Sequence, residues 1–201
     1  MNKQSTLYTV IFMFIVSFAF VFLLSLTNEA TREQVELNQE VARQRAILAA
    51  MSIEGLTDEE VLERYEDVEV LERDDSTLYR ATVEGQAVIA KEFSGSGLWG
   101  TIRGVLAVNE ELTRTVGLTI INHNETPGLG GRITENWFQE QFEGEEIPAS
   151  GQIVFTAGDG DTDYDNSEVD GITGATRTSE SMERIVNREI EAIRSLVGGN
   201  A

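Results

Sequence analysis

Three glycine-bearing segments hold the side chains with chemistry to offer. The run Asp170-Gly171-Ile172-Thr173-Gly174-Ala175-Thr176-Arg177-Thr178-Ser179 stands just ahead of the last helix-forming stretch. Small residues let the backbone come close to a ligand. A helix start presents free N–H groups and the positive end of its dipole, which suits a phosphate. The hydroxyls of this run, with Arg177 beside them, add donors for phosphate oxygens. An ordinary loop with a Thr/Ser cap accounts for the same residues, and chemistry alone leaves both readings open. The Gly-Lys-Ser/Thr ending of a Walker A loop is missing.

The second segment is His123-Asn124-Glu125-Thr126-Pro127-Gly128-Leu129-Gly130-Gly131-Arg132. Its Pro-Gly-Leu-Gly-Gly core enforces a turn with little bulk, so backbone amides can face a planar ligand; taken alone, the segment reads first as a plain tight loop. The third is Ser94-Gly95-Ser96-Gly97-Leu98-Trp99-Gly100, where Trp99 could be a core plug or a platform for a ring system, and the residues alone favour the core plug. His123, the single histidine, sits beside a loop and reads as structural.

Composition closes several other classes. With no Cys there are no disulfides, Cys-ligated zinc sites, iron–sulfur clusters or thiol nucleophiles. One His excludes a multi-His metal centre, and no metal site is expected. With 15 Lys+Arg against 35 Asp+Glu, the net charge of −20 argues against nucleic-acid binding. Asp161-Thr162-Asp163-Tyr164-Asp165 fails the EF-hand register and reads as a solvated acidic loop. The Gly-x-Gly-x-x-Gly fingerprint of a dinucleotide site is absent.

The elements that must position these segments begin with a membrane anchor. Leu7 to Leu26 carries no charge and is long enough, as a helix, to cross the bilayer, which makes the lipid bilayer the first expected partner. A cleaved signal peptide would have a shorter apolar region ending in a small-residue site, which is not found. Lys3 on the short flank places the N-terminus in the cytoplasm. The expectation is a single-pass protein of the cell inner or plasma membrane, with its C-terminal domain on the periplasmic or extracellular side. Ala30 to Met51, free of Gly and Pro, reads as a helical stalk, and Thr57-Asp58-Glu59-Glu60 as a capping box opening a short helix. Strands are expected over Leu78–Val83, Ala87–Phe93, Thr101–Val108, Val116–Asn122 and Gln152–Thr156. Helices are expected over Thr134–Phe142 and Ser179–Val197, the latter capped by Thr178 or Ser179 and ended by Gly198-Gly199. The fold class is α+β: residues 1–28 an N-terminal transmembrane anchor, 29–56 a helical stalk, and 57–201 one domain with an antiparallel sheet and flanking helices.

Taken together, the segments resemble one family of FMN-binding domains. It is shared by the C subunit of the sodium-translocating NADH:quinone reductase and the G subunit of the Rnf electron-transport complex. Thr173-Gly174-Ala175-Thr176, with Asp170 ahead of it, resembles the family's (Ser/Thr)-Gly-Ala-Thr flavinylation motif. There an exported flavin transferase uses FAD to attach FMN to the final Thr by a phosphoester, so the resemblance implies Thr176 as the acceptor. Glu125-Thr126-Pro127-Gly128-Leu129-Gly130 resembles a second family segment lying against the flavin, and Gly97-Leu98-Trp99 a third, where the Trp flanks the ring. The implied cofactor-binding set is thus Thr176, Thr173, Gly174, Ala175, Asp170, Trp99, Leu98, Glu125, Thr126, Gly128, Leu129 and Gly130, with no general acid or base. Asn38 and Arg43-Gln44-Arg45-Ala46-Ile47-Leu48, after the anchor, resemble the family's opening.

What the resemblance implies is an electron-transfer subunit of a membrane ion-translocating NADH:quinone oxidoreductase. Its partners would be the other membrane subunits of the complex and the flavin transferase, and it would not turn over alone. Gly97-Leu98-Trp99-Gly100 and the Val169–Ser179 run favour the quinone reductase; chain length is nearer the G subunit of the ferredoxin:NAD Rnf complex. A membrane-anchored assembly module without a working cofactor is the remaining alternative.

Overall fold

Thr6 to Ala50 forms one helix, α1, because no Gly or Pro interrupts those residues. The computed structural model describes residues 6–74, 76–149, 151–158 and 160–198. Lys3 and Gly199, on which the orientation and one helix stop were argued, lie outside them. The first part of α1 is long and apolar enough to cross a membrane. Residues 1–41 and 42–201 form two separate compact units. The last turns of α1, which composition joins to the stalk, belong to the second: Ala46, Ile47, Leu48 and Ala50 are buried there.

The second unit continues with α2 (Asp58–Tyr65), opened by the expected capping box: Thr57 Oγ1 accepts from Glu60 N, and Glu60 Oε2 accepts from Thr57 N at 2.7 Å. Then come β1 (Glu69–Arg73), β2 (Ser76–Val83), β3 (Gln86–Ser96), β4 (Thr101–Asn109) and β5 (Thr115–Asn122). They pair in chain order as an antiparallel meander. Register between β2 and β3 is set by a two-residue turn, with Glu84 and Gly85 at positive φ and Val83 paired to Gln86.

The sheet is covered on both faces, which explains the unbroken buried run Gly104–Val108 in β4. On one face Leu78, Ile89, Phe93, Ile102, Leu106 and Leu118 pack against α3 (Asn136–Glu140) and α4 (Thr176–Gly198). On the other, Tyr79 donates to Glu92 Oε1 at 2.8 Å, and Arg43 from the end of α1 pairs with the same carboxylate at 2.7 Å. Each fully buried Ile, Leu or Phe contributes about 1.5–3 kcal/mol by leaving water. The cation–carboxylate pair Lys91–Glu189, 2.6 Å apart and nearly buried, ties α4 to β3. Two short parallel strands, β6 (Val154–Ala157) and β7 (Glu168–Gly171), lie apart from the meander.

Three expectations need correcting. The helix expected over Thr134–Phe142 is split into a 3-10 turn (Gly130–Thr134) and α3, because Glu135 between them is extended. The strand expected at Gln152 starts at Val154. The final helix starts at Thr176, so Thr178 and Ser179 are not its caps but buried members of its first turn.

Candidate functional site

β3 and β4 are joined by a four-residue tip in which Gly97 N donates to Gly100 O at 2.7 Å. So tight a turn turns its two central side chains outward: Leu98 is 50% exposed and Trp99 69%. Trp99 is therefore not a core plug. Two large apolar side chains at one hairpin tip have an energetic reason to be covered by something.

β5 leads into the second segment. His123 Nδ1 accepts from Glu125 N at 3.1 Å, and Thr126 O accepts from the amides of Leu129 and Gly131 at 3.1 and 3.0 Å. The result is a closed turn that exposes Thr126 and Leu129 while burying Glu125, which is only 4% exposed. Gly128 is required for its positive φ of 72°, whereas Gly130 is required for space: a Cβ there would run into the Thr178 hydroxyl.

The Asp170–Ser179 segment runs from β7 into α4. Gly174 takes a positive φ of 81° and places its α-carbon so that a Cβ would stand 3.6 Å from Leu129 Cδ2. This brings Thr173-Gly174 against the second segment. Thr173, Gly174 and Thr176 are exposed and Ala175 is buried. Ser179 Oγ accepts from Ile172 N at 2.9 Å, pinning the approach to the helix. Thr176 thus presents its hydroxyl at the first turn of α4, where the Thr178 and Ser179 amides already donate to Ala175 O at 3.0 Å and those of Thr176 and Arg177 face outward from the helix start. Arg177 reaches outward, 3.8 Å from Glu180, and its side chain is largely solvated. Beside Thr176 a cavity of about 330 Å³ opens between Phe155–Ala157 and the side chains of Ser179, Glu180 and Glu183.

Asp170 is committed to the scaffold. Its Oδ1 accepts from Thr156 Oγ1 at 3.0 Å, and its Oδ2 from Gly160 N at 2.9 Å. Its backbone N–H and C=O are both met by the Gln141 amide, at 2.8 and 3.2 Å. The residue therefore holds the loop that flanks the Thr173–Thr176 turn.

The three segments separated in sequence are brought together by Glu125. Its Oε1 accepts from Leu98 N at 2.9 Å and Trp99 N at 3.1 Å, and its Oε2 from Thr178 Oγ1 at 2.6 Å. Thr178 is the functional residue that sequence reasoning placed wrongly, as a helix cap. Its hydroxyl carries no local signal that could have revealed a partner 53 residues away. Chemically, the arrangement offers an apolar surface for a planar ring and, at the start of α4, amides and hydroxyls for an anion.

Comparison with known proteins shows what this arrangement is similar to. Residues 97–191, which include the Gly97–Gly100 tip and both of the other segments, match the FMN-binding domain. The C subunit of the Na(+)-translocating NADH-quinone reductase of Chlamydia trachomatis is 31% identical over 126 residues, covering 54% of this chain and 40% of that protein. The same subunit of Pseudomonas aeruginosa is 28% identical over 130 residues, covering 61% and 50%. The chain thus spans about half the length of these relatives. Among solved structures, the corresponding subunit from Parabacteroides distasonis superposes with a TM-score of 0.69 at 23% identity, over 83% of this chain and 96% of that one. NqrC of Shewanella oneidensis gives 0.65 at 19%, over 78% and 94%. The fold is the same in all three. Over residues 97–191 the chain is similar to the FMN-binding domain, and it resembles the C subunits of the Na(+)-translocating NADH-quinone reductase in sequence and in fold.

Proposed function

We propose that this chain is a membrane-anchored electron-transfer subunit of a sodium-translocating NADH:quinone oxidoreductase, carrying FMN on Thr176 through a phosphoester. The observation that carries this reading is the convergence of three segments on one exposed patch. The Thr176 hydroxyl stands at a helix start, two residues after Gly174, which faces Leu129, and two before Thr178, which shares the Glu125 carboxylate with the Leu98–Trp99 tip. These residues fit the group. Leu98, Trp99 and Leu129 cover an aromatic ring, while the Thr176 and Arg177 amides at the start of α4 and the Thr173 hydroxyl receive phosphate oxygens. When bound, FMN supplies the redox chemistry, and the protein supplies position and electrostatics.

In maturation, Thr176 Oγ displaces AMP from the FMN-side phosphorus of FAD. One O–P bond forms, the pyrophosphate bond breaks, and the hydroxyl proton is given up. An exported flavin transferase is the catalyst, and the domain then lies on the outer side of the membrane with α1 in the bilayer. Electrons pass between this subunit and cofactors of its neighbours, with NADH oxidised elsewhere.

Co-expression with a flavin transferase tests the attachment. The denatured wild-type band is expected to fluoresce, and Thr176→Ala to be dark, with mass spectrometry locating the adduct on Thr176. A dark wild type beside a transferase active on a known acceptor overturns the reading. Purification from native membranes tests the complex: recovery with Rnf subunits in place of quinone-reductase subunits overturns that part alone.

A further inference from the structure

We propose that Glu125 is the positioning residue of this site, setting where the Leu98–Trp99 tip stands relative to Thr176. The inference rests on the FMN reading but assigns Glu125 no contact with the cofactor. Each oxygen of its carboxylate serves a different wall. Oε1 holds the two amides at the hairpin tip, and Oε2 holds the Thr178 hydroxyl two residues after the acceptor. Both walls are shaped to admit it. A Cβ on Gly97 would run into Oε1, and one on Gly130 would stand 2.8 Å from Oε2. Among the described residues no lysine or arginine pairs with Glu125, so three donors alone compensate a buried carboxylate.

The tip is anchored by this tether. Leu98 and Trp99 expose half or more of their surface, so packing does not fix them; the Gly97–Gly100 bond closes the turn, and the amides' bonds to Glu125 fix it against the rest of the site. Side-chain length matters as well, because aspartate is shorter by one methylene and cannot reach both walls. A glutamine preserves the geometry: its carbonyl oxygen still accepts from both amides, and its amide nitrogen donates to Thr178 Oγ1.

The test uses the full chain in detergent, with two readouts. Amide hydrogen exchange reports the tether without any flavin. In Glu125→Ala, Leu98 and Trp99 are expected to exchange at least about tenfold faster while β3 and β4 stay protected, and in Glu125→Gln they stay slow. In the flavinylated protein, a tryptophan held on the ring quenches flavin fluorescence. Folded Glu125→Ala and Thr178→Val are therefore expected to be several-fold brighter than wild type, with Glu125→Gln as dim as wild type. Unchanged exchange at the tip in Glu125→Ala overturns the tether. Equal brightness of Glu125→Gln and Glu125→Ala overturns positioning in favour of charge. A wild type that exchanges as expected but takes no FMN overturns the FMN reading, and with it the purpose assigned to the tether.

Discussion

Glu125 and Glu145 are both buried glutamates of the same unit, and they are treated in opposite ways. Glu125 accepts three hydrogen bonds, two from backbone amides and one from a hydroxyl. Glu145, 1% exposed and in the segment between α3 and β6, leaves its Oε1 without a hydrogen-bond partner. Burial, with Asp161 and Asp163 adding to it, raises the Glu145 carboxyl to about 7, and the Ser167 amide offsets this only in part. Burial alone therefore does not tell what a carboxylate is for. Where donors converge, the charge organises its surroundings; where they do not, the group holds its proton into the neutral range.

Breaking the first member of the pair has the largest expected effect. Glu125→Ala leaves two amides and a hydroxyl without their acceptor, and is expected to cost about 3 kcal/mol in chemical denaturation. Gly130→Ala attacks the same junction from the other side by forcing Thr178 and Glu125 apart. It is expected to cost about 2 kcal/mol and to loosen the tip as Thr178→Val does.

The second member is probed with pH. In the unfolded chain Glu145 titrates near 4.5, in the folded protein near 7, so the folded state holds the extra proton between these values. Its contribution is fully present below about 4.5 and is lost as pH rises to 7. Glu145→Gln, compared with wild type by thermal melts from pH 4 to 8, is expected to remove that slope. The gain above pH 7 is on the order of 1 kcal/mol once solvent screening is allowed for. The smallest effect is expected from Trp99→Ala, within about 0.5 kcal/mol in the same melts, because so exposed a ring adds little to the core. A large loss there would show the tip to be core after all.

Much of this was written locally in the sequence. β2 to β5 follow from β-branched and aromatic runs between turn residues, α2 from its capping box, and the buried face of α4 from the spacing of Met182, Ile185, Val186, Ile190 and Ile193. β1 and β7 were not legible. Glu-Val-Leu-Glu-Arg is an edge strand with only Leu71 partly covered, and Glu-Val-Asp-Gly buries Val169 and Gly171 between acidic residues. Among the site segments, glycine spacing made the loops visible, and the family resemblance singled out Thr176. The roles of Thr178 and Asp170 were hidden, since each depends on partners brought close only by the fold. The unpartnered Glu145 was hidden for the same reason.

The meander has a consequence for the order in which the molecule comes together. β1 to β5 pair only with their neighbours in the chain, so the sheet closes through short loops. The helix that bears Thr176 does the reverse: Lys91 meets Glu189 across 98 residues, and Glu125 meets Thr178 across 53. Those closures cost more chain entropy and bring their reward late. Kinetically, the sheet is a platform awaiting its last helix, and Thr176 reaches its neighbours only when folding is nearly complete. Time-resolved exchange labelling during refolding is expected to protect the amides of β3 and β4 before those of Leu98 and Trp99.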